Sequence, residues 1–303
     1  MLTTQTSLLS SIEDVRSSFT GQLGLAAINL DTGDQVALDA EQSFPIASVL
    51  KVPVLLEVLL QAADGRFSLD DQLEPLAHRA YGSGVLKELS NSVRMTVRDV
   101  AVLMIIVSDN SSTNTLIDLV GGIEPINARM RALGYPSVTL HSNIPLPRRL
   151  APGEPMPQVR SVAEATPADV ATLMANLARG QLAAPAICGE LLAIMSRQQF
   201  VDQVPRYFDY DSIAAELGRV QRVQVACKTG FHPGTRCDAG VVSWDDCGGF
   251  AYAVFNTGSA DTSMSDESEG AIANGRIGRL LLEHWWPDKL GPPPVRDLPT
   301  WLR

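Results

Sequence analysis

The 303-residue chain is 45% hydrophobic and 19% charged, enough for one large or two interlocked globular domains with a substantial buried core. Its 34 acidic against 24 basic side chains give a formal net charge of −10, which argues against work on nucleic-acid phosphates or an anionic membrane surface. The longest apolar runs, around Val52 to Leu60 and Val100 to Val107, contain Glu57 or stop far short of the roughly 20 residues a bilayer span needs. The expected partner is therefore a small molecule or peptide, with no nucleic acid and no membrane.

The opening segment, MLTTQTSLLSSIEDVRSSF, has no basic residue before Arg16 and no sustained apolar stretch, so it lacks the plan of a secretory signal. A cytoplasmic protein is expected, although an exported mature form with its leader removed is compatible with the sequence. Two strands are expected to open the chain: residues 22–38 run apolar on both sides of the polar turn Asp31, Thr32, Gly33, Asp34 and read as a β-hairpin. From Ser48 the pattern turns helical, with Leu50, Val54, Leu55, Val58 and Leu59 at three- and four-residue spacing. Helical periodicity recurs over residues 96–107, 113–120, 126–133, 167–179 and 185–199. Between two of these helices, residues 135–166 are rich in proline, lack periodicity and read as a long irregular loop.

After Arg219 three apolar runs, RVQVACKTG, DAGVVSW and GFAYAVFNTG, are joined by polar or glycine-rich turns, and a final helix is expected over residues 267–285. The order strands, helices, strands, helix predicts an α/β fold. Its central antiparallel sheet is formed by both chain ends with flanking helices, and an all-helical lobe is inserted. The expected division is an α/β lobe over residues 1–55 and 205–303, and a helical lobe over 56–204. Cys188, Cys227, Cys237 and Cys247 show neither C-x-x-C spacing nor a Cys/His pairing, so no metal site is expected and free thiols are the default. Cys227 and Cys237 flank one predicted hairpin, which leaves a disulfide between them open if the protein is exported.

A nucleophilic serine needs a base for its proton, and Ser48-Val49-Leu50-Lys51 places an amine one helical turn from a hydroxyl. Ser108-Asp109-Asn110 follows the apolar run VAVLMIIV, and Lys228-Thr229-Gly230 ends a predicted strand. Alone, each is unremarkable: the first is a chance spacing, the second a helix cap, the third a strand-to-turn junction. In this order they belong together. A lysine is a useful base only when its charge is disfavoured, and a second lysine in the same cleft does that.

With these three motifs the chain resembles the penicillin-recognising serine enzymes, and the class A β-lactamases above all. The resemblance covers nearly the whole chain, including GRFSLDDQL from Gly65, the Gly121-Gly122 pair and FNTGSAD from Phe255. It implies that Ser48 is the nucleophile forming an acyl-enzyme and that Lys51 shuttles its proton. Ser108 would relay a proton to the leaving nitrogen, and Asn110 would hydrogen-bond the substrate's side-chain amide. Lys228, Thr229 and Gly230 would line the place of the substrate carboxylate, with Arg236 as a further cation. The backbone N–H groups of Ser48 and Phe231 would form the oxyanion hole. No cofactor is implied.

The departure from the family lies in the long loop. Counting forward from Ser108-Asp109-Asn110, the place of the family's water-activating glutamate falls on Ile144, which has no proton chemistry. Glu154, in Glu154-Pro155-Met156-Pro157-Gln158, is a displaced candidate base, and Glu164 a weaker one. The expected protein is thus a serine hydrolase acting on a β-lactam or related amide or ester with a carboxylate, with slow deacylation. The alternatives are a cytoplasmic esterase, D-alanyl peptidase or acyltransferase of the same superfamily, and a catalytically silent ligand-binding protein. Were Ser48 not the nucleophile, the thiol of Cys227, next to Lys228, would be the suspect.

Overall fold

A computed structural model describes residues 5–75, 80, 82–90, 92–145, 161–210, 214, 216–220, 223–244 and 247–289. The described chain opens with a helix rather than with strands: α1 (Gln5–Ser18) buries Leu8, Ile12 and Val15, which recur at four- and three-residue spacing on one face. That apolar stripe is short and flanked by serines, which is why composition hides it. The expected hairpin follows as β1 (Gln22–Asn29) and β2 (Gln35–Leu38), paired antiparallel with Leu25 opposite Leu38.

The short strand β3 (Phe44–Pro45) leads into a 3-10 turn over Ala47–Leu50 and then α2 (Lys51–Ala63). Pro53 is harmless in the first turn of α2, where a backbone N–H has no intrahelical acceptor. Beyond β4 (Gln72–Leu73) and β5 (Met95–Thr96) come α3 (Val97–Ile106), α4 (Asn110–Leu119) and α5 (Ile123–Ala132). Within the expected irregular stretch, β6 (Thr139–Leu140) and β7 (Ala163–Ala165) pair with one another, and β7 also pairs with β3. Then follow α6 (Pro167–Ala178), α7 (Pro185–Met195), the strands β8 (Val223–His232), β9 (Thr235–Trp244) and β10 (Cys247–Thr257), and α8 (Glu269–Trp285).

The five-stranded sheet has the order β2-β1-β10-β9-β8, and both described neighbour pairs of β10 are antiparallel. Strands from both ends of the chain therefore share one sheet. Period-two alternation divides its side chains between two cores. On one face Ala26, Ile28, Ala239, Val241, Ala253 and Phe255 join the core built from α2 to α7. On the other, Leu25, Val225, Val242, Phe250, Tyr252 and Val254 pack with Leu8 and Ile12 of α1 and Ile277 and Leu281 of α8.

The same alternation separates the two hairpin cysteines. Cys227 pairs with Gly240 and Cys237 with Gly230, and their side chains enter opposite cores. They cannot bridge, and Cys188, Cys227 and Cys237 are all buried free thiols. Among the described residues, no helix is long and apolar enough to cross a membrane.

Candidate active site

Ser48 sits in the 3-10 turn rather than in the α-helix, and Lys51 is the first residue of α2. Ala47, just ahead of the serine, has φ +44°, and Ser108 has φ +54°. Each costs backbone strain that a residue with a Cβ tolerates only when its surroundings hold it. The strained residues thus abut both hydroxyls of the predicted constellation. Ser48 lies in the 3-10 turn just ahead of α2, on the side where the helix dipole favours developing negative charge.

Lys51 is completely buried. Its ammonium donates to Ser108 O at 2.7 Å, Ser108 Oγ at 2.9 Å and Asn110 Oδ1 at 2.7 Å, using all three donors. Burial and then the nearby Lys228 push its pKa well below the ordinary lysine range, against a smaller opposing pull from Asp109. Once Lys51 is neutral, the Ser108 hydroxyl can reverse its bond and donate to the amine. The Lys51–Ser108 contact can thus carry its hydrogen bond in either direction.

Asp109 has a different task. Its side chain caps α4 by accepting from Ser112 N at 2.8 Å, and it also accepts from Val85 N at 2.7 Å and Leu86 N at 2.9 Å. The middle residue of the motif is therefore structural: it anchors the segment over residues 82–86 against the start of α4 and leaves Ser108 and Asn110 to Lys51.

Lys228 is also fully buried, and its pKa falls to about 8, with burial as the largest cause. Its ammonium donates to Thr229 O at 2.8 Å. The Thr229 hydroxyl is buried without a hydrogen-bond partner, an arrangement that costs stability unless a ligand supplies one. Gly230 explains how β8 reaches the serine: a Cβ there would lie 2.7 Å from Ser48 N and 2.9 Å from Ile46 O. Only glycine permits that approach. β8 is an edge strand, and Cys227 O and Thr229 O are taken by side chains rather than by another strand. In the same alternation Phe231 presents its N–H along that free edge, one residue from the Ser48 contact.

Arg236 is brought to the end of the β8–β9 hairpin, but its guanidinium is occupied. It donates to His232 O and Thr235 O at 2.9 Å each, to Ser263 O at 2.7 Å and to Ser265 O at 3.4 Å. The cation ties the hairpin to the segment after β10. Ile144 is held by Asn114, a buried residue of α4 that sequence reasoning passed over. Glu154 lies outside the described residues. Glu164, on β7, sits 3.7 Å from His141 Nε2. Among the described residues no group of three or more His, Cys, Asp or Glu side chains could hold a metal ion.

A family model described as "Beta-lactamase enzyme family" matches residues 7–285. The chain belongs to this family. It is 26% identical to the β-lactamase L2 of Stenotrophomonas maltophilia over 261 residues, 86% of this chain and 80% of that one. It is 27% identical to the CTX-M-4 β-lactamase of Salmonella typhimurium over 175 residues, 58% of each chain. Among solved structures, the β-lactamase of Sphaerobacter thermophilus aligns with a TM-score of 0.78 at 27% identity, covering 96% of this chain and all of that one. PBP-A aligns with a TM-score of 0.76 at 25% identity, covering 94% and 97%. The protein is thus a β-lactamase-family serine hydrolase with the α/β fold expected for it.

Proposed function

We propose that this enzyme forms a covalent acyl-Ser48 from a β-lactam, or a related amide or ester bearing a carboxylate, and releases the acyl group slowly. The observation that carries the first half is the buried Lys51 amine, made a base by burial and by Lys228, in contact with the Ser108 hydroxyl. Ser48 Oγ attacks the carbonyl carbon as its proton passes to neutral Lys51. The tetrahedral oxyanion is stabilised by the N–H groups of Ser48 and Phe231. As the C–N or C–O bond breaks, the proton moves from Lys51 through Ser108 Oγ to the leaving atom. Asn110 orients the substrate amide. The carboxylate meets the Lys228 ammonium and the unpartnered Thr229 hydroxyl, with Gly230 keeping the strand edge open.

The second half of the cycle needs a base for water, and Ile144 supplies none. Slow release favours transfer or peptidase chemistry as a second reading. The similarity to PBP-A supports it, since a variant of that protein is known as an acyl-enzyme complex with penicillin G. A silent binding protein is the poorer reading because a buried, charge-depressed Lys51 serves no purpose in binding alone.

Intact-protein mass after incubation with a fluorescent penicillin, and separately with a generic acyl ester, tests the reading. A persistent adduct that is absent from Ser48→Ala is expected. Rapid turnover without an adduct would remove slow release. An adduct surviving in Ser48→Ala would move the nucleophile elsewhere, and no reaction with either probe would overturn the acyl-enzyme.

A further inference from the structure

We infer that Gln198 is a positioning residue for acyl transfer: its carboxamide pins the end of α3, ahead of Ser108, to the free edge of β8, ahead of Lys228, and so sets the width of the cleft. Gln198 follows α7 and is 2% exposed. Its Nε2 donates to Ile105 O at 3.1 Å and to Cys227 O at 3.3 Å, while its Oε1 accepts from Phe200 N at 3.1 Å. The orientation of the amide is fixed by its partners, because two carbonyls require the nitrogen and one N–H requires the oxygen.

The two carbonyl partners belong to different walls. Ile105 lies three residues before Ser108, and at the end of α3 its carbonyl also accepts from Ser108 N at 3.4 Å, so the Gln198 amide meets the same oxygen that turns the chain into the second motif. Cys227 precedes Lys228, and its carbonyl lies on the unpaired edge of β8. Phe200 packs its ring edge-on to Phe231, with ring centroids 6.1 Å apart. One side chain therefore touches the backbone beside two motifs and, through Phe200, the residue assigned to the oxyanion hole. Gln199 N donates to Ile106 O at 3.0 Å and fastens the same stretch to α3 a second time.

The consequence is electrostatic as well as geometric. Lys51 hangs on the Ser108 wall and Lys228 on the β8 wall, so the link that fixes the walls also fixes how strongly Lys228 disfavours the charge on Lys51. Asp109, at the start of α4, pulls the other way. A wider cleft would weaken the effect of Lys228 and admit water. Lys51 would then hold its proton to higher pH.

The inference rests on the acyl-Ser48 reading of this site. Its test uses Gln198→Met, which keeps length and removes all three bonds, and Gln198→Asn, which keeps the amide but shortens its reach. The second-order acylation rate with a fluorescent penicillin should fall by about tenfold or more. The acidic limb of its pH profile should move to higher pH, a shift that lost stability alone would not produce. A variant with lowered melting temperature but wild-type rate and limb would overturn the inference. If the wild-type protein is not acylated, the acyl-enzyme reading fails separately, and a crystal structure of either variant decides: a widened separation of the Ile105 and Cys227 carbonyls upholds the staple, and an unchanged one refutes it.

Discussion

Asn114 grips Ile144 by both polar groups of its backbone, donating to Ile144 O at 2.9 Å and accepting from Ile144 N at 2.9 Å. The grip comes from the second turn of α4, whose first residue is Asn110. Position 144 is therefore registered against the same helix that carries Asn110 to Lys51, although its own side chain can do no proton transfer. Ile144→Glu should supply the missing base and speed loss of the penicillin adduct by about 100-fold. Adduct lifetime by intact mass is the measurement. An unchanged lifetime would show that this position does not reach the acyl-enzyme water.

Gly230 gives a second prediction, through steric exclusion. A methyl group there would collide with the Ser48 amide and push β8 away from the nucleophile's turn. Gly230→Ala should retain the circular-dichroism spectrum of the fold while acylation drops about 100-fold, the cost expected of a misplacement near 1 Å. Equal acylation by both proteins would remove the β8 edge from the oxyanion hole.

Arg236 should behave as a strut. With four carbonyl oxygens on its guanidinium, Arg236→Ala should cost about 2 kcal/mol or more of stability. Lysine should not rescue it, because an ammonium cannot reproduce the planar fork. Thermal unfolding and acylation measured side by side decide the matter. A large loss of acylation at unchanged melting temperature would instead make Arg236 a reader of the substrate carboxylate.

Asp238 carries the clearest dependence of stability on pH. It lies opposite Thr229 in the hairpin, accepting from Val204 N at 2.9 Å and from the Tyr252 hydroxyl at 3.3 Å. Burial pushes its pKa up to about 8 from the ordinary 3.8, while those hydrogen bonds and Lys228 pull it down. Between these two values the folded protein holds a proton that the unfolded chain has released, so stability falls as pH rises through that window. Asp238→Asn should flatten this part of the melting-temperature profile. Parallel profiles for the two proteins would refute the assignment.

The legible part of this molecule was the part written in local pattern. The hairpin at Asp31 to Asp34, the helices after Ser48 and the three motifs all declare themselves through periodicity or fixed spacing. The helix α1 escaped notice because Leu8, Ile12 and Val15 are a thin stripe among serines, stabilised by packing with α8 rather than by propensity. The opposite facing of Cys227 and Cys237 follows from strand register, which needs the turn at Gly234 to be located first. Gln198 and Asn114 were invisible for another reason. A glutamine or asparagine that bonds to distant backbone leaves no pattern in its neighbours, and only the folded chain shows which carbonyls it serves.

The mixed origin of the sheet also bears on when the enzyme becomes reactive. Ser48 and Lys51 are synthesised early, but the strand edge that completes their surroundings belongs to β8, and β1 finds its inner neighbour only in β10. Such distant pairings are slow to form because a long loop must close before they are rewarded. A ribosome-bound chain that has emerged as far as α7 therefore carries Ser48 and Lys51 without Lys228 or Phe231 beside them. Ser48 and Lys51 therefore reach their final surroundings only when the last strands have joined the sheet.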